Sequence, residues 1–253
     1  MKRALFLLVF LSTTGFAHEA YLSSQHTKIN RQEESSWLHT AGGKMHLNDE
    51  SSITLEGSYL ERFSFYEKRF GAGYFQQVLP NWGLGINYLH AFNNPEIFAE
   101  DQFNINNFIS FNDGLSAFAL YQRSQYSITE IDLIRLGLEI EKIQDFIFVP
   151  QITLGEARFD EPNTHHNLYQ FGLKAIYYRE ALYSVSVHYF QGNEAAQTIV
   201  GRLNKTIYTK NVGLSLGYYI NQDLEVEYLF DYLDLGKLNN QFVSSTINLN
   251  WSF

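Results

Sequence analysis

The sequence predicts an all-β chain, a single antiparallel sheet of about fourteen strands closed into a barrel. Three observations carry that expectation. Apolar and polar residues alternate in short segments, the connections between segments alternate in length, and the chain ends on the alternating stretch "STINLNWSF". There Ile247, Leu249, Trp251 and Phe253 share one face of an extended strand, and Thr246, Asn248, Asn250 and Ser252 the other. Soluble chains usually end in a frayed polar tail, so a terminal aromatic face asks for another surrounding.

The first residues stand outside the pattern. "MKRALFLLVFLSTTGFA" starts basic at Lys2 and Arg3, runs apolar from Ala4 to Leu11 and reaches the small residues Gly15 and Ala17. It reads as a signal peptide over residues 1–17, because a membrane anchor would need roughly 20 apolar residues. The barrel domain is then expected over 18–253. Loss of Lys2 and Arg3 takes the formal charge from −9 to −11.

Strands follow at 20–29 and 36–46, joined by "NRQEES", and at 51–63 after the tight "LNDES". "RFSFYE" leads to 66–79, "LPNW" turns into 82–92, and "NNPEIFAEDQ" separates these from 103–112. "NDG" gives 115–127, "SITE" gives 131–143, and "IQD" gives 147–158. "DEPNTHH" precedes 166–179 and "REA" precedes 181–191. The long "GNEAAQTIVGRLNK" leads to 206–220, and "INQD" and "GKLNNQ" bracket 224–235 before the last strand, 242–253. Within 223–233 the two-residue period is plain: Leu224, Val226, Tyr228, Phe230 and Tyr232 alternate with Glu225, Glu227, Leu229, Asp231 and Leu233.

Composition narrows the class. Without a single cysteine, disulfides and thiolate chemistry are excluded in an exported chain. An acidic chain lacking basic runs argues against nucleic acid. Aromatics make up 16% of residues while mean hydropathy is only −0.22. That combination suits a wall whose lipid-facing residues are every second one. Short turns alternating with longer loops point to a transmembrane β-barrel of the bacterial outer membrane, with both termini periplasmic and an even strand count. Tyr59, Tyr74, Trp82, Tyr169, Tyr177, Tyr183, Tyr189 and Tyr218 fall on the presumed outer face near strand ends, as interfacial girdles require. A soluble β-sandwich leaves them unexplained. Outer-membrane lipids and the barrel-assembly machinery are the expected partners, the latter reading Trp251 and Phe253 as an assembly signal.

Several stretches resemble the YaiO-like family of outer-membrane β-barrels. "GAGYFQQVLPNWGLGINYLHAFNNPEIFAEDQF" (71–103) is similar to that family's Gly-rich strand, tryptophan turn and following strand. "ALYQRSQYS" (119–127) resembles its Tyr-x-Arg-x-x-Tyr strand end, "FQGNEAA" (190–196) its Gly-x-Glu loop, and "NLNWSF" its aromatic ending. The resemblance implies an outer-membrane barrel with a role in surface polysaccharide secretion, and carries over no catalytic residue. The chain lacks the helical-repeat region of large polysaccharide exporters.

Catalytic and metal readings are weak. His165 and His166, beside Asp160 and Glu161, point to opposite faces of a strand and cannot easily share an ion. Ser186 and His188 both face inward, but two residues along a strand stand about 7 Å apart, too far for a hydrolase pair. An omptin-like site would need paired acids with a His–Asp dyad at the rim. "GNEAA" lacks the strand–loop–helix setting of a phosphate loop. No enzyme, cofactor or metal is expected.

The inward face is more telling. Glu56, Glu139, Glu141, Glu225 and Glu227 are expected near the periplasmic end, Arg62 and Arg135, with Arg69 and Arg123, nearer the outside, and Lys174 at mid-barrel. Tyr121, Tyr219 and Phe190 are expected inward, where they would stack on sugar rings or fill space. The leading expectation is a channel or accessory pore for a polar solute, a saccharide among the candidates. Its rivals are a plugged structural or adhesion barrel and an outer-membrane hydrolase.

Overall fold

The computed structural model describes residues 17–29, 35–62, 65–92, 98–112, 114–160, 164–179, 182–195, 206–236 and 241–252. Residues 1–16 and the terminal Phe253 lie outside them. Fourteen strands run through the described residues. The first seven are β1 (Ala17–Ile29), β2 (Ser35–Asn48), β3 (Ser51–Arg62), β4 (Phe65–Leu79), β5 (Trp82–Phe92), β6 (Asp101–Asn112) and β7 (Leu115–Gln125). The rest are β8 (Thr129–Ile143), β9 (Phe146–Phe159), β10 (Thr164–Arg179), β11 (Tyr183–Ala195), β12 (Thr206–Tyr219), β13 (Leu224–Asp234) and β14 (Gln241–Ser252). Each pairs antiparallel with its chain neighbours, and β14 pairs with β1 from Ser252–Glu19 to Phe242–Ile29. The sheet is therefore closed. A closed ladder satisfies its backbone groups internally and leaves no edge, which is what a strand-built wall in lipid requires.

At the end of the barrel that holds the termini, the connections 49–50, 80–81 and 144–145 are two-residue turns, and Asn112 of β6 is separated from Leu115 of β7 by two residues as well. Register shifts sit beside all four, at His46/Asn48, Gln77/Leu79, Ser110/Asn112 and Ile140/Ile143. A bulge with a left-handed residue lets a tight turn follow the strand twist. Gly114 (φ 76°) and Asp145 (φ 65°) supply such residues. A side chain at Gly114 would also meet the Glu141 carbonyl. The opposite end carries the longer connections, including 93–100 and 196–205.

Several strands outrun their apolar segments at this loop end. β11 continues to Ala195, past the expected 191, because Gly192–Ala195 pair with Thr206–Thr209 of β12. Ladder formation needs only backbone groups, so polar residues extend it once it has started.

Contacts that skip a strand identify the inside. Tyr21 of β1 reaches over Gly42 of β2 to Glu56 of β3, and His188 of β11 reaches over Gly213 of β12 to Asp231 of β13. Only the concave face of a closed sheet brings such side chains together. The other face exposes Leu55, Phe70, Ile86, Ile134, Leu136, Ile152, Leu214 and Ile247, and forms the outer wall. All eight aromatics expected on the outer face share it by register, Tyr59 opposite Lys68, Tyr74 opposite Ile86 and Tyr218 opposite Val226 among them.

Two buried apolar clusters lie on the concave face near the loop end. One joins Ile131, Ala157, Phe159 and Leu168, with Tyr126 and Leu133 against it. The other joins Leu60, Ala91 and Phe98, with Leu38. Phe98, just ahead of β6, thus turns inward. Its amide donates to Glu67 Oε2 at 2.8 Å, and the Arg69 guanidinium lies 4.6 Å from its ring. Burial pushes the Tyr126 hydroxyl up to about 12, with Arg69 opposing the shift and Glu67 adding to it.

Candidate functional site: the barrel interior

Alternation in β8 and β13 places four of the expected carboxylates on the concave face at the termini end. In β8, Ile134, Leu136 and Leu138 are exposed on the outer wall, so Arg135, Gly137, Glu139 and Glu141 face in. Glu139 and Glu141 line a cavity of about 460 Å³ with Ser110, Ser116 and Asn81. Glu141 accepts a hydrogen bond from Tyr178. In β13, Glu225 accepts from Asn250 Nδ2 at 3.1 Å and Glu227 from Asn248 Nδ2 at 2.9 Å. β9 to β12 separate the two pairs along the sheet, so they share an end of the barrel without forming one cluster.

Glu56 departs from the expected arrangement. It stands midway along β3, accepts from Tyr21 Oη at 3.0 Å and pairs with Arg69 Nη2 at 3.7 Å. An acidic and a basic group expected at different heights are thus one ion pair. Arg62 closes β3, and its side chain lies outside the described residues. Arg135 donates from Nε to Thr153 Oγ1 at 3.4 Å. Lys174 sits mid-strand in β10, flanked in register by Val149 and His188. Trp251 faces outward between Ala20 and Leu224.

Sequence reasoning missed Glu19, which holds Lys44 Nζ at 2.8 Å and His46 Nε2 at 3.2 Å. It also missed Glu194, bonded to Gln170 and Thr209 on the same inner face. Ser186 bonds to Ser215 Oγ at 2.7 Å, while His188 Nε2 faces Asp231 Oδ1 at 3.1 Å. The serine and the histidine thus have separate partners. His165 and His166 point to opposite faces: His165 pairs with Glu156 outside, and His166 packs edge-on to Phe159 inside.

Two expectations are overturned in β7. Tyr121 and Arg123 face outward, not into the lumen, because they pair with outward Ile134 and Asp132 of β8. Tyr121 donates to Asp132 Oδ1 at 2.6 Å, and Arg123 pairs with Glu130. Arg158 joins them, 3.4 Å from Asp132 and 3.0 Å from Glu156. Together they make an ion-paired rim on the outer wall, where β7 to β10 approach the loop end. The cause lies on the other side of β7, where the inward residues are Phe118 and Leu120. The Phe118 ring covers Gly137 of β8, and a methyl group on that glycine would overlap it. A rule that sends apolar residues to lipid therefore assigns β7 to the wrong face.

Phe75 and Phe108 break the same rule. Phe75 lies across Gly83 and beside Gly85 of β5, and Phe108 pairs with Phe118. Both point inward, yet Phe75 is 41% and Phe108 38% exposed, so open space lies in front of them. A weak signal existed in sequence. Tyr74 and Phe75 are adjacent, as are Phe108 and Ile109, so one member of each pair must point inward.

No family model and no curated protein sequence matches the chain. Solved structures do match its fold. A bacterial polysaccharide outer membrane secretin superposes with a TM-score of 0.60 at 9% identity, over 93% of this chain and 98% of that one. The CymD monoaromatic hydrocarbon channel gives 0.62 at 7% identity, over 96% and 91%. Omp33 of Acinetobacter baumannii gives 0.58 at 11% identity, over 94% and 100%. At these identities the likeness concerns the fold, which is that of outer-membrane barrels.

Proposed function

We propose that the protein is an outer-membrane channel for a polar solute, exported by a cleaved leader over residues 1–17 and set with both termini in the periplasm. On this reading Glu139, Glu141, Glu225 and Glu227 stand at the periplasmic mouth, Arg135 and Lys174 lie deeper, and lipid covers the apolar outer wall. The barrel-assembly machinery takes the last strand as its signal. A saccharide is the first candidate solute, and the part in surface polysaccharide secretion implied by the YaiO-like resemblance belongs to the same proposal. The single observation that carries the reading is the exposure of Phe75 and Phe108 on the concave face. Large side chains that point into a barrel and still meet solvent imply unfilled interior.

A second reading, a plugged structural or adhesion barrel, is favoured by one observation: the inward-folded Phe98 and the buried clusters beside it at the loop end. Planar-bilayer recording across a salt gradient decides between them. Steady conductance with modest cation selectivity supports the channel. Silence from protein that is demonstrably folded and inserted supports the plug.

A further inference from the structure

We propose that the inner wall from β4 to β9 is a binding step for one acidic sugar unit, an inference that rests on the channel reading and names its solute class. Phe75, Phe108 and Phe118 come from three different strands to one cavity of about 260 Å³, which Arg135, Gln151 and Asn106 also line. Three phenyl groups gathered at one cavity of the inner face, two of them exposed, are the unusual feature, because a contiguous apolar patch facing water, unlike a single exposed residue, marks a ligand or partner site. Glycine explains how the rings are presented. A Cβ at Gly83 would meet the tip of the Phe75 ring and one at Gly137 the tip of the Phe118 ring, so each glycine makes room for an aromatic surface over the neighbouring strand. The C–H face of a pyranose is complementary to such a surface.

Charge selects within the sugars. Among the described residues no carboxylate lies in ion-pair range of Arg135, whose Nε is spent on Thr153. Glu139, on the same face of β8, is four residues away, or roughly 13 Å along the strand. Glu194 of β11 faces the same interior and feels the Arg135 charge without forming an ion pair with it, while Gln170 and Thr209 bond to its carboxylate. The Arg135 guanidinium, in no direct ion pair among the described residues, can therefore receive a carboxylate from the solute, the bidentate partner its geometry favours. Asn106, exposed, and Gln151 offer amides to ring hydroxyls. The cavity falls just short of the range of about 300–1,000 Å³ typical of small-molecule sites, so it suits one ring at a time.

An aromatic acid shares the ring and the carboxylate but lacks the hydroxyls, so the test must separate the two. The full folded barrel in detergent is titrated calorimetrically with a short galacturonate oligomer, a neutral gluco-oligosaccharide and benzoate. The galacturonate oligomer should bind most tightly. Arg135→Gln should weaken it about tenfold or more, and Phe118→Leu about three- to tenfold. Lys174→Gln removes the same charge two strands across and four residues along, roughly 16 Å away and out of reach of a carboxylate bound at Arg135, so it should change affinity by no more than about twofold. Each variant is first checked for the gel shift of a folded barrel. Equal losses for Arg135→Gln and Lys174→Gln, or benzoate binding as tightly as galacturonate, would overturn the site. Conductance without galacturonate binding also overturns it and leaves the channel standing. Binding without conductance upholds the site and removes the channel.

Discussion

Glu225 and Glu227 each accept an asparagine amide from β14, at 3.1 and 2.9 Å, so a neutral side chain rather than a cation holds each carboxylate. That is why the pair is a sensitive probe of the interior. Carboxylates in a narrow low-dielectric passage are screened less than those on a surface and favour cations. In a bilayer with a salt gradient, Glu225→Gln combined with Glu227→Gln should move the reversal potential toward zero. An unmoved potential in protein that conducts would show that the two residues do not line the path. Glu56 makes a useful contrast, since Arg69 already neutralises it across β3 and β4. Changing Glu56 to Gln should therefore alter selectivity less than the double change in β13, and should instead free Arg69 as an extra cation.

At the scale of the element, β7 shows how neighbours override a strand's own pattern. Its outward residues include Ala117 and Ala119, and its inward ones Ser116, Phe118 and Leu120, a polarity opposite to that of β8 or β13. Lysine at a lipid-facing midplane position costs about 2–4 kcal/mol, and in a lumen position little. Ala119→Lys should therefore cut the yield of folded barrel sharply, whereas Ser116→Lys, opposite Glu139, should leave it near wild type. The reverse result would restore Arg123 and Tyr121 to the interior. β14 poses a comparable test. Trp251 faces outward against Ala20 and Leu224, and Ser252 faces in opposite Glu19. Deleting residues 251–253, or changing Phe253 to Ala, should reduce outer-membrane insertion far more than Ser252→Ala. Equal yields from all three, measured in outer-membrane fractions, would show that the aromatic ending has no part in assembly.

The whole molecule is one continuous ladder from β1 round to β14 and back, and its stability should behave as a unit. Detergent finds no edge from which to unravel such a sheet. Unboiled and boiled samples should migrate differently on a denaturing gel, and identical migration, with the protein in the soluble periplasmic fraction, would rule the membrane barrel out. Strand number, the order of short and long connections, and the outward placement of Tyr59, Tyr74, Trp82, Tyr169, Tyr177, Tyr183, Tyr189 and Tyr218 were all legible in sequence. The reason is physical: two-residue alternation and turn chemistry are properties of a single strand and its ends. The ion pair of Glu56 with Arg69, the reach of Tyr21 across Gly42, the inward fold of Phe98 and the reversed faces of β7 were not legible. Each depends on which residues stand opposite in the next strand, or next but one, on a concave wall. Only closure of the sheet sets that register, and with it the side from which Phe75, Phe108 and Phe118 look into the barrel.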